Sequence, residues 1–179
     1  MATIYYNKYQ KAQGGLIRKM GIGKDVNFKS DSIEYSTPNK LFIPLKDEFN
    51  LQIDVCASLL NHKLESFYTK EDDALSKDWI GNCWMNPPFT KDLKKWVIKA
   101  YQESKKHSGT KVCLIPVRSN TVWWRNVCLD SEIRFINGEV NFNDEPRGLW
   151  LPMCIIIFGD MAKSGTFSVI DYRKNISKN

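Results

Sequence analysis

Apolar side chains along this chain follow two kinds of pattern, one typical of helices and one typical of buried strands. Residues 112–117 and 153–158 are almost continuously apolar, as in strands that are covered on both faces. After Thr90 the apolar residues recur at the helical period, which predicts a helix with one buried face: Leu93, Trp96, Val97, Ala100 and Tyr101. Strands that alternate with helices predict an α/β fold with a mostly parallel sheet.

Shorter patterns fill in the rest of this fold. Thr37 precedes Pro38, which predicts an N-cap followed by proline in the first turn of a helix. Residues 51–55 alternate as in a strand that ends near Asp54, a short helix is expected near 57–64, and a helix is expected at 122–127. Asn137-Gly138 separates two apolar stretches and predicts a hairpin, and hence an antiparallel edge at the C-terminal end of the sheet.

Length and composition indicate one domain with an additional arm. The chain has 179 residues, of which 42% are hydrophobic, enough for one core. Residues 1–34 are polar, basic and glycine-containing, and are expected to form a partly irregular arm, whereas 35–179 are expected to form a single domain. No apolar run reaches membrane-spanning length and no secretory signal is visible, so a cytoplasmic protein is expected.

The cysteines and histidines do not suggest a metal site. Five cysteines are spread along the chain, and an odd number in apolar surroundings is typical of reduced, buried thiols. His62 and His107 have no partner at metal-ligand spacing, so no metal is expected.

The charge distribution favours a polyanionic partner. The net charge is +6, and basic residues are concentrated in the first thirty positions and again after residue 90, where Lys91, Lys94 and Lys95 lie outside the apolar face of the predicted helix. Lysine clusters supply phosphate contacts, which agrees with a polyanionic partner. A solvated lysine surface is the alternative for any single cluster.

The tetrapeptide Asn86-Pro87-Pro88-Phe89 carries the candidate chemistry. It follows a short apolar strand, and Asn-Pro-Pro-aromatic at a strand end is the signature of enzymes that methylate an amino or amide nitrogen with S-adenosyl-L-methionine. An adenine amino group is a poor nucleophile because its lone pair is delocalised into the ring. The Asn86 oxygen and the Pro87 carbonyl can accept hydrogen bonds from that group, the prolines stiffen the loop, and Phe89 offers a stacking face for a flipped base. The alternative is a proline-rich turn.

With these residues in view, the chain resembles the phage-type DNA N-6-adenine methyltransferase (Dam) family. The match runs from about residue 37 to 158 in the following order: Thr37-Pro38, Asp54-Val55-Cys56-Ala57, Asn61, Asp72-Asp73-Ala74-Leu75 with Trp79, Asn86-Pro87-Pro88-Phe89, Leu114-Ile115-Pro116, and Gly148-Leu149-Trp150-Leu151-Pro152. The resemblance implies a Rossmann-like methyltransferase fold that methylates adenine N6, with S-adenosyl-L-methionine as the cofactor and double-stranded DNA as the partner. It also suggests GATC-like sites.

The resemblance also implies roles for individual residues. Catalysis is assigned to the residues from Asn86 to Phe89. Cofactor binding is assigned to Thr37, Asp54, Cys56, Ala57 and Asp73, with Asp73 as the acid that meets the adenine of the cofactor. Simpler structural roles stand beside these: a helix cap for Thr37, a strand-end turn for Asp54 and a helix N-terminal acid for Asp73.

Two departures from the family pattern change the expected fold. The loop Cys56-Ala57-Ser58 has no glycine, although small residues still allow a ligand to approach. Asp54 and Asn86 are only 32 positions apart, which is short for two β-α units, so this region is expected to be abbreviated. The ribose-binding acid stays open, with Glu65 and Asp72 as candidates.

Other functions remain possible at this point. Methylation of cytosine N4 or of a protein glutamine poses the same chemical problem, and a non-catalytic DNA-binding protein could retain the fold. Base contacts are expected from 137–146 or from the N-terminal arm, with Arg118 and Arg147 among the arginines available for guanine. No obligate protein partner is evident.

Overall fold

A seven-stranded sheet forms the centre of the computed structural model, which describes residues 35–144 and 151–173. The strand order is β2-β1-β3-β4-β6-β5-β7. The strands are β1 Ile53–Asp54, β2 Ser66–Phe67, β3 Cys83–Met85, β4 Thr110–Pro116, β5 Glu132–Asn137, β6 Met153–Gly159 and β7 Phe167–Asp171. The described residues belong to one compact unit, and the predicted arm, 1–34, lies outside them.

The sheet is mostly parallel, as expected, but its antiparallel strand is not at an edge. Strand β6 runs against both β4 and β5, while every other neighbouring pair is parallel. The edge beyond β5 is β7, which the weak pattern after Gly159 did not predict. The prediction of an antiparallel C-terminal edge was therefore wrong in position.

The predicted hairpin at Asn137-Gly138 is also absent from the described residues. Strand β5 ends at Asn137, and Gly138 adopts φ 127°, where the chain leaves the sheet. Val140 and Phe142 then pack into the core from an irregular segment and a short 3₁₀ turn, Phe142–Asp144, instead of from a second strand. The alternating apolar residues there are buried in the core, and Val140 makes only an isolated β-bridge.

Three helices lie among the described residues: α1 Asn39–Phe49, α2 Leu93–Lys106 and α3 Val122–Val127. The cap of α1 is Pro38, with no side-chain cap hydrogen bond, so the predicted cap role of Thr37 was wrong. Pro44 lies within α1 on its exposed side without ending the helix. On the predicted apolar face of α2, Leu93, Val97 and Ala100 are buried, and Trp96 and Tyr101 are partly buried. None of the described helices is long and apolar enough to cross a membrane.

The segment from β1 to β3 is abbreviated, as the spacing predicted. It contains two strands of two residues each and a 3₁₀ turn, Ala74–Ser76, and no α-helix. The helix expected near 57–64 is replaced by a hydrogen-bonded turn in which the Asn61 side chain accepts from Ser58 N at 2.7 Å. Because β1 pairs directly with β3, with Asp54 opposite Trp84, the chain after both strands reaches the same edge of the sheet.

Apolar residues fill both faces of this sheet. Leu114 and Trp84 face the layer that contains α1, and Cys113, Ile115 and Met85 face the layer that contains α2 and α3. Adjacent strand residues thus alternate between two cores, which explains the continuous apolar runs. The two cores fix the strands whose carboxyl ends carry the candidate site.

Candidate active site

A polar cleft opens at the carboxyl ends of β1 and β3. It brings together four predicted site residues from distant parts of the chain: Thr37, Asp54, Cys56 and Asn86. The lining residues are Tyr35, Thr37, Asp54, Cys56, Asn61, Lys63, Trp84 and Asn86. Ligands of α/β sheets bind at this position, outside the carboxyl ends of the strands. Tyr35, Lys63 and Trp84 were not predicted as site residues; the signal available was their position beside Thr37, Asn61 and the Asn86 loop.

Asn86 is held at both hydrogens of its amide group. Its Nδ2 donates to the carbonyl of Tyr35 at 2.6 Å and to Thr37 Oγ1 at 3.1 Å. Its Oδ1 is buried and has no hydrogen-bond partner among the described residues. A buried acceptor without a partner is rare and unfavourable in a structure with no further role for it. The atom left without a partner is the one that the chemistry of amino-group methylation requires.

Phe89 lies in an aromatic cluster beside Asn86. Its ring stacks on Tyr35, with ring centres 5.8 Å apart and planes 16° from parallel, and it meets the edge of Phe142 at 5.9 Å. Pro87 is buried and Pro88 is exposed, so the loop is fixed at one proline and open to solvent at the other. Phe89 remains partly exposed, which leaves ring surface for contact with a ligand.

Asp54 organises the loop that follows β1. Its Oδ1 accepts from Cys56 N at 3.2 Å and its Oδ2 accepts from Lys63 N at 3.1 Å, so the carboxylate closes the turn from 54 to 63. Burial raises the pKa of the Asp54 carboxyl to about 6, against the lowering effect of these two hydrogen bonds. The structure thus gives Asp54 the loop-organising role, which the sequence analysis offered as one alternative.

The raised pKa of Asp54 predicts a pH-dependent stability. Because the folded pKa of about 6 lies above the ordinary value of 3.8, the folded protein binds this proton more tightly than the unfolded chain does. The contribution of Asp54 is therefore greatest below pH 4 and decreases, by about 3 kcal/mol in total, as the pH rises through 6. The measurement is urea unfolding of the wild type and Asp54→Asn from pH 4 to 8. A difference between the two proteins that does not change with pH would contradict the prediction.

Cys56 and Ala57 build the same loop without glycine. Ala57 N donates to the carbonyl of Tyr68 at 3.0 Å, which fixes the loop against the residue after β2. Burial and the nearby Asp54 carboxylate raise the pKa of the Cys56 thiol well above its usual value. A thiol held in its neutral form does not act as a nucleophile. The loop therefore supplies main-chain and small side-chain surface to the cleft, not a reactive group.

The comparison with known protein families agrees with this geometry. The family model of DNA N-6-adenine-methyltransferase (Dam) matches residues 26–157, which include every lining residue of the cleft. The chain belongs to this family. Membership makes the protein a DNA methyltransferase specific for adenine N6.

Two phage proteins illustrate the relationship. The chain is 32% identical over 151 residues to the DNA N-6-adenine-methyltransferase of Haemophilus phage HP1, an alignment that covers 77% of this chain and 85% of the relative. It is 29% identical over 94 residues to the DNA N-6-adenine-methyltransferase of Escherichia phage T1, covering 50% of this chain and 38% of that protein.

Ala57 is not among the residues that line the cleft, and neither is Asp73, the last predicted cofactor residue of this Dam-family chain. Asp73 is exposed, adopts φ 49° and begins the 3₁₀ turn Ala74–Ser76. Its neighbour Asp72 is occupied locally, because its Oδ2 accepts from Thr69 N at 2.8 Å and from Thr69 Oγ1 at 2.9 Å. The structure therefore separates Asp73 from the other predicted cofactor residues.

The predicted DNA-binding residues lie at different places. Lys91, Lys94 and Lys95 are exposed at or just before the start of α2, directly after the Asn86–Phe89 loop, and Lys95 pairs with Asp92 at 2.8 Å. Arg118 is half-buried after β4. Arg147 lies outside the described residues. The lysines form a basic surface that continues from the catalytic loop.

One group of potential metal ligands lies away from the cleft: Asp78, Glu103 and His107. Glu103 is already occupied, because it accepts from Trp79 N at 2.7 Å and pairs with Lys99 at 2.7 Å. Asp78 pairs with Lys106. These contacts give the group a structural role, since they attach α2 to the segment that precedes β3.

Proposed function

We propose that this Dam-family protein methylates adenine N6 at the cleft formed by Asn86, Thr37 and Asp54. The observation that carries the proposal is the buried Asn86 Oδ1, which has no partner among the described residues while both hydrogens of the same amide are occupied. That oxygen can accept only from a donor that enters the cleft, and an exocyclic amino group is such a donor.

The chain contributes to the reaction by positioning. Asn86 Oδ1 and the Pro87 carbonyl accept the two hydrogens of adenine N6 and direct its lone pair toward the methyl donor. Phe89 stacks on the flipped base. The amino proton becomes acidic only after the transfer, so no strong general base is required. The buried cleft replaces water around the reacting nitrogen with fixed dipoles.

The methyl donor proposed for this site is S-adenosyl-L-methionine, which supplies an electrophilic methyl group on a sulfonium. The polar lining by Asp54, Cys56, Asn61 and Lys63 suits the charged methionine end of such a ligand. The cleft has a volume of about 10 Å³ in this structure, so it must widen to admit the donor. Asp73 would reach the adenine end of the donor only from outside the cleft. The Rossmann-like methyltransferase fold is part of this proposal and rests on the mostly parallel sheet and on family membership.

The DNA is proposed to be double-stranded and to lie across the basic surface of α2, in the cytoplasm of a bacterial host. Arg118, and Arg147 beyond the described residues, are proposed to contact the DNA as well. GATC-containing duplexes are the first substrates to test. Incubation with unmethylated DNA and methyl-labelled donor, followed by nucleoside analysis and mapping of modified sites, tests the proposal. Label in N6-methyladenine supports it, whereas label in N4-methylcytosine or in protein overturns it.

The lysines of this surface give a separate prediction. Lys91→Ala and Lys94→Ala should each weaken DNA binding to a similar extent on all sequences and reduce the slope of log K against log salt by about 1, because each removes one phosphate contact. Lys95→Ala should have a smaller effect, since Asp92 already partly neutralises that lysine. Fluorescence anisotropy at several salt concentrations measures this. Lys46→Ala, at an exposed position on α1, is the matched control. If the salt slope is unchanged in both Lys91→Ala and Lys94→Ala, the surface at the start of α2 does not bind the DNA.

A further inference from the structure

Tyr35 and Thr37, in the segment before α1, fix the side-chain amide of Asn86 and decide which of its atoms faces the cleft. A primary amide has two nearly equal shapes, related by a 180° flip that exchanges Oδ1 and Nδ2. The flipped form would present hydrogens to an incoming amino group and repel it. Catalysis by Asn86 therefore requires contacts that favour one orientation of the amide, and the structure contains such contacts.

Of the two partners of Asn86, the Tyr35 carbonyl selects that orientation, and the Thr37 hydroxyl helps to hold the amide in place. The Tyr35 carbonyl, 2.6 Å from Nδ2, can only accept a hydrogen bond. Thr37 Oγ1 accepts the second hydrogen at 3.1 Å. In the flipped form Oδ1 would face the Tyr35 carbonyl oxygen, which is unfavourable. The Tyr35 carbonyl thus leaves Oδ1 on the side of the cleft, and the bond from Nδ2 to the Thr37 hydroxyl restrains the amide in that position.

The segment that holds these acceptors is itself anchored by contacts that do not involve the Thr37 hydroxyl. Ser36 N donates to Asn143 Oδ1 at 2.7 Å, and Asn143 N donates to the Ser36 carbonyl at 3.0 Å. The Tyr35 ring stacks on Phe89. Thr37 is buried and makes no cap hydrogen bond to α1. Loss of its hydroxyl should therefore disturb Asn86 and not the segment.

We propose that Thr37 is a positioning residue that, together with the Tyr35 main chain, keeps Asn86 Oδ1 directed at the adenine amino group. This inference rests on the proposed function of Asn86. It gives the Thr37 hydroxyl a role in orienting the catalytic amide, distinct from the contact with the methyl donor that the family resemblance implied.

The test removes the hydroxyl at constant shape. Thr37→Val should lower kcat on the order of tenfold, the effect of about one lost hydrogen bond, with little change in KM for DNA or in affinity for S-adenosylmethionine. Thr37→Ser should restore kcat. In ¹H–¹⁵N NMR spectra the side-chain amide signals of Asn86 should shift and exchange faster in Thr37→Val and return in Thr37→Ser. Thr166→Val, the same change at an exposed position before β7, should alter neither kcat nor these signals.

The outcomes separate this inference from the proposed function. If Thr37→Val keeps a normal kcat while Asn86→Ala loses activity, the positioning role is overturned and the function of Asn86 stands. If Asn86→Ala is fully active, the proposed function itself fails. Weaker binding of S-adenosylmethionine without a change in kcat would show that Thr37 contacts the methyl donor, and would overturn the inference. If Thr37→Val does not fold, Thr37→Ala, which leaves space instead of a methyl group, is read by the same three measurements.

Discussion

Replacing Asn86 by alanine should reduce kcat for adenine methylation by about 10²- to 10³-fold, the range observed when one preorganised hydrogen-bonding group is removed from an active site. The reason is the buried Oδ1, which finds no partner within 35–144 and 151–173 and is the side-chain atom placed to accept from the amino group. Affinity for S-adenosylmethionine should change little, because the change removes a contact to the target base. Single-turnover kinetics with saturating DNA and donor, together with calorimetric titration of the donor, measure both effects.

Stability must be separated from catalysis in this experiment. Asn86→Ala also removes the hydrogen bonds to Tyr35 and Thr37, a loss of about 1–2 kcal/mol. Unfolding in urea shows whether the variant is folded under the assay conditions. Asn126→Ala, at an exposed position on α3, is the matched control and should behave as the wild type. A folded Asn86→Ala variant that binds the donor and methylates at the normal rate would refute the mechanism.

Much of the central fold was predictable because burial on both faces leaves a strong signal. The apolar runs at 112–117 and 153–158 became β4 and β6, and the helical period after Thr90 became α2. In each case the residues that form the apolar pattern in the sequence are also residues that pack in the core. The abbreviation between Asp54 and Asn86 was predictable from chain length alone.

The edges of the fold were not predictable for a physical reason. In β7, Phe167, Ser168 and Val169 are exposed, so burial in the core hardly constrains which residues occur there. The strand pairs with β5 through main-chain groups, which are the same for almost every residue type. Val140 and Phe142 caused the opposite error, a predicted strand that is absent, because they are buried although their segment is irregular. Apolar periodicity reports burial, and it reports strand pairing only where the two coincide.

The candidate site was predictable one residue at a time, but its internal contacts were not. Thr37, Asp54, Cys56 and Asn86 were named from motifs, and the structure brings them to one cleft. The hydrogen bond between Thr37 and Asn86 joins residues 49 positions apart, which no local pattern encodes. Tyr35 acts through its main-chain carbonyl, which any residue could supply. Asp73 was named from the same resemblance, yet its exposed position leaves its role a prediction.

Trp79 should prove the most important side chain for the stability of the abbreviated segment. It is fully buried against the layer of α2, its Nε1 donates to the Ala74 carbonyl at 2.8 Å, and its main-chain N donates to Glu103 Oε2 at 2.7 Å. This single residue therefore attaches the turn that begins at Asp73 to helix α2.

We expect Trp79→Ala to lower the free energy of unfolding by about 3–5 kcal/mol, because it leaves a large cavity and removes the bond to Ala74. Trp79→Phe keeps an aromatic ring but not the indole N–H, and should lower it by about 1–2 kcal/mol. Urea unfolding measures both values. The indole of Trp79 also holds the turn that begins at Asp73. If Asp73 contacts S-adenosylmethionine, the affinity for S-adenosylmethionine should therefore be weaker in Trp79→Phe, measured at temperatures where the protein is folded. Unchanged donor affinity in the folded variant would argue against a donor contact by Asp73, and a small stability loss in Trp79→Ala would contradict the anchoring role of Trp79.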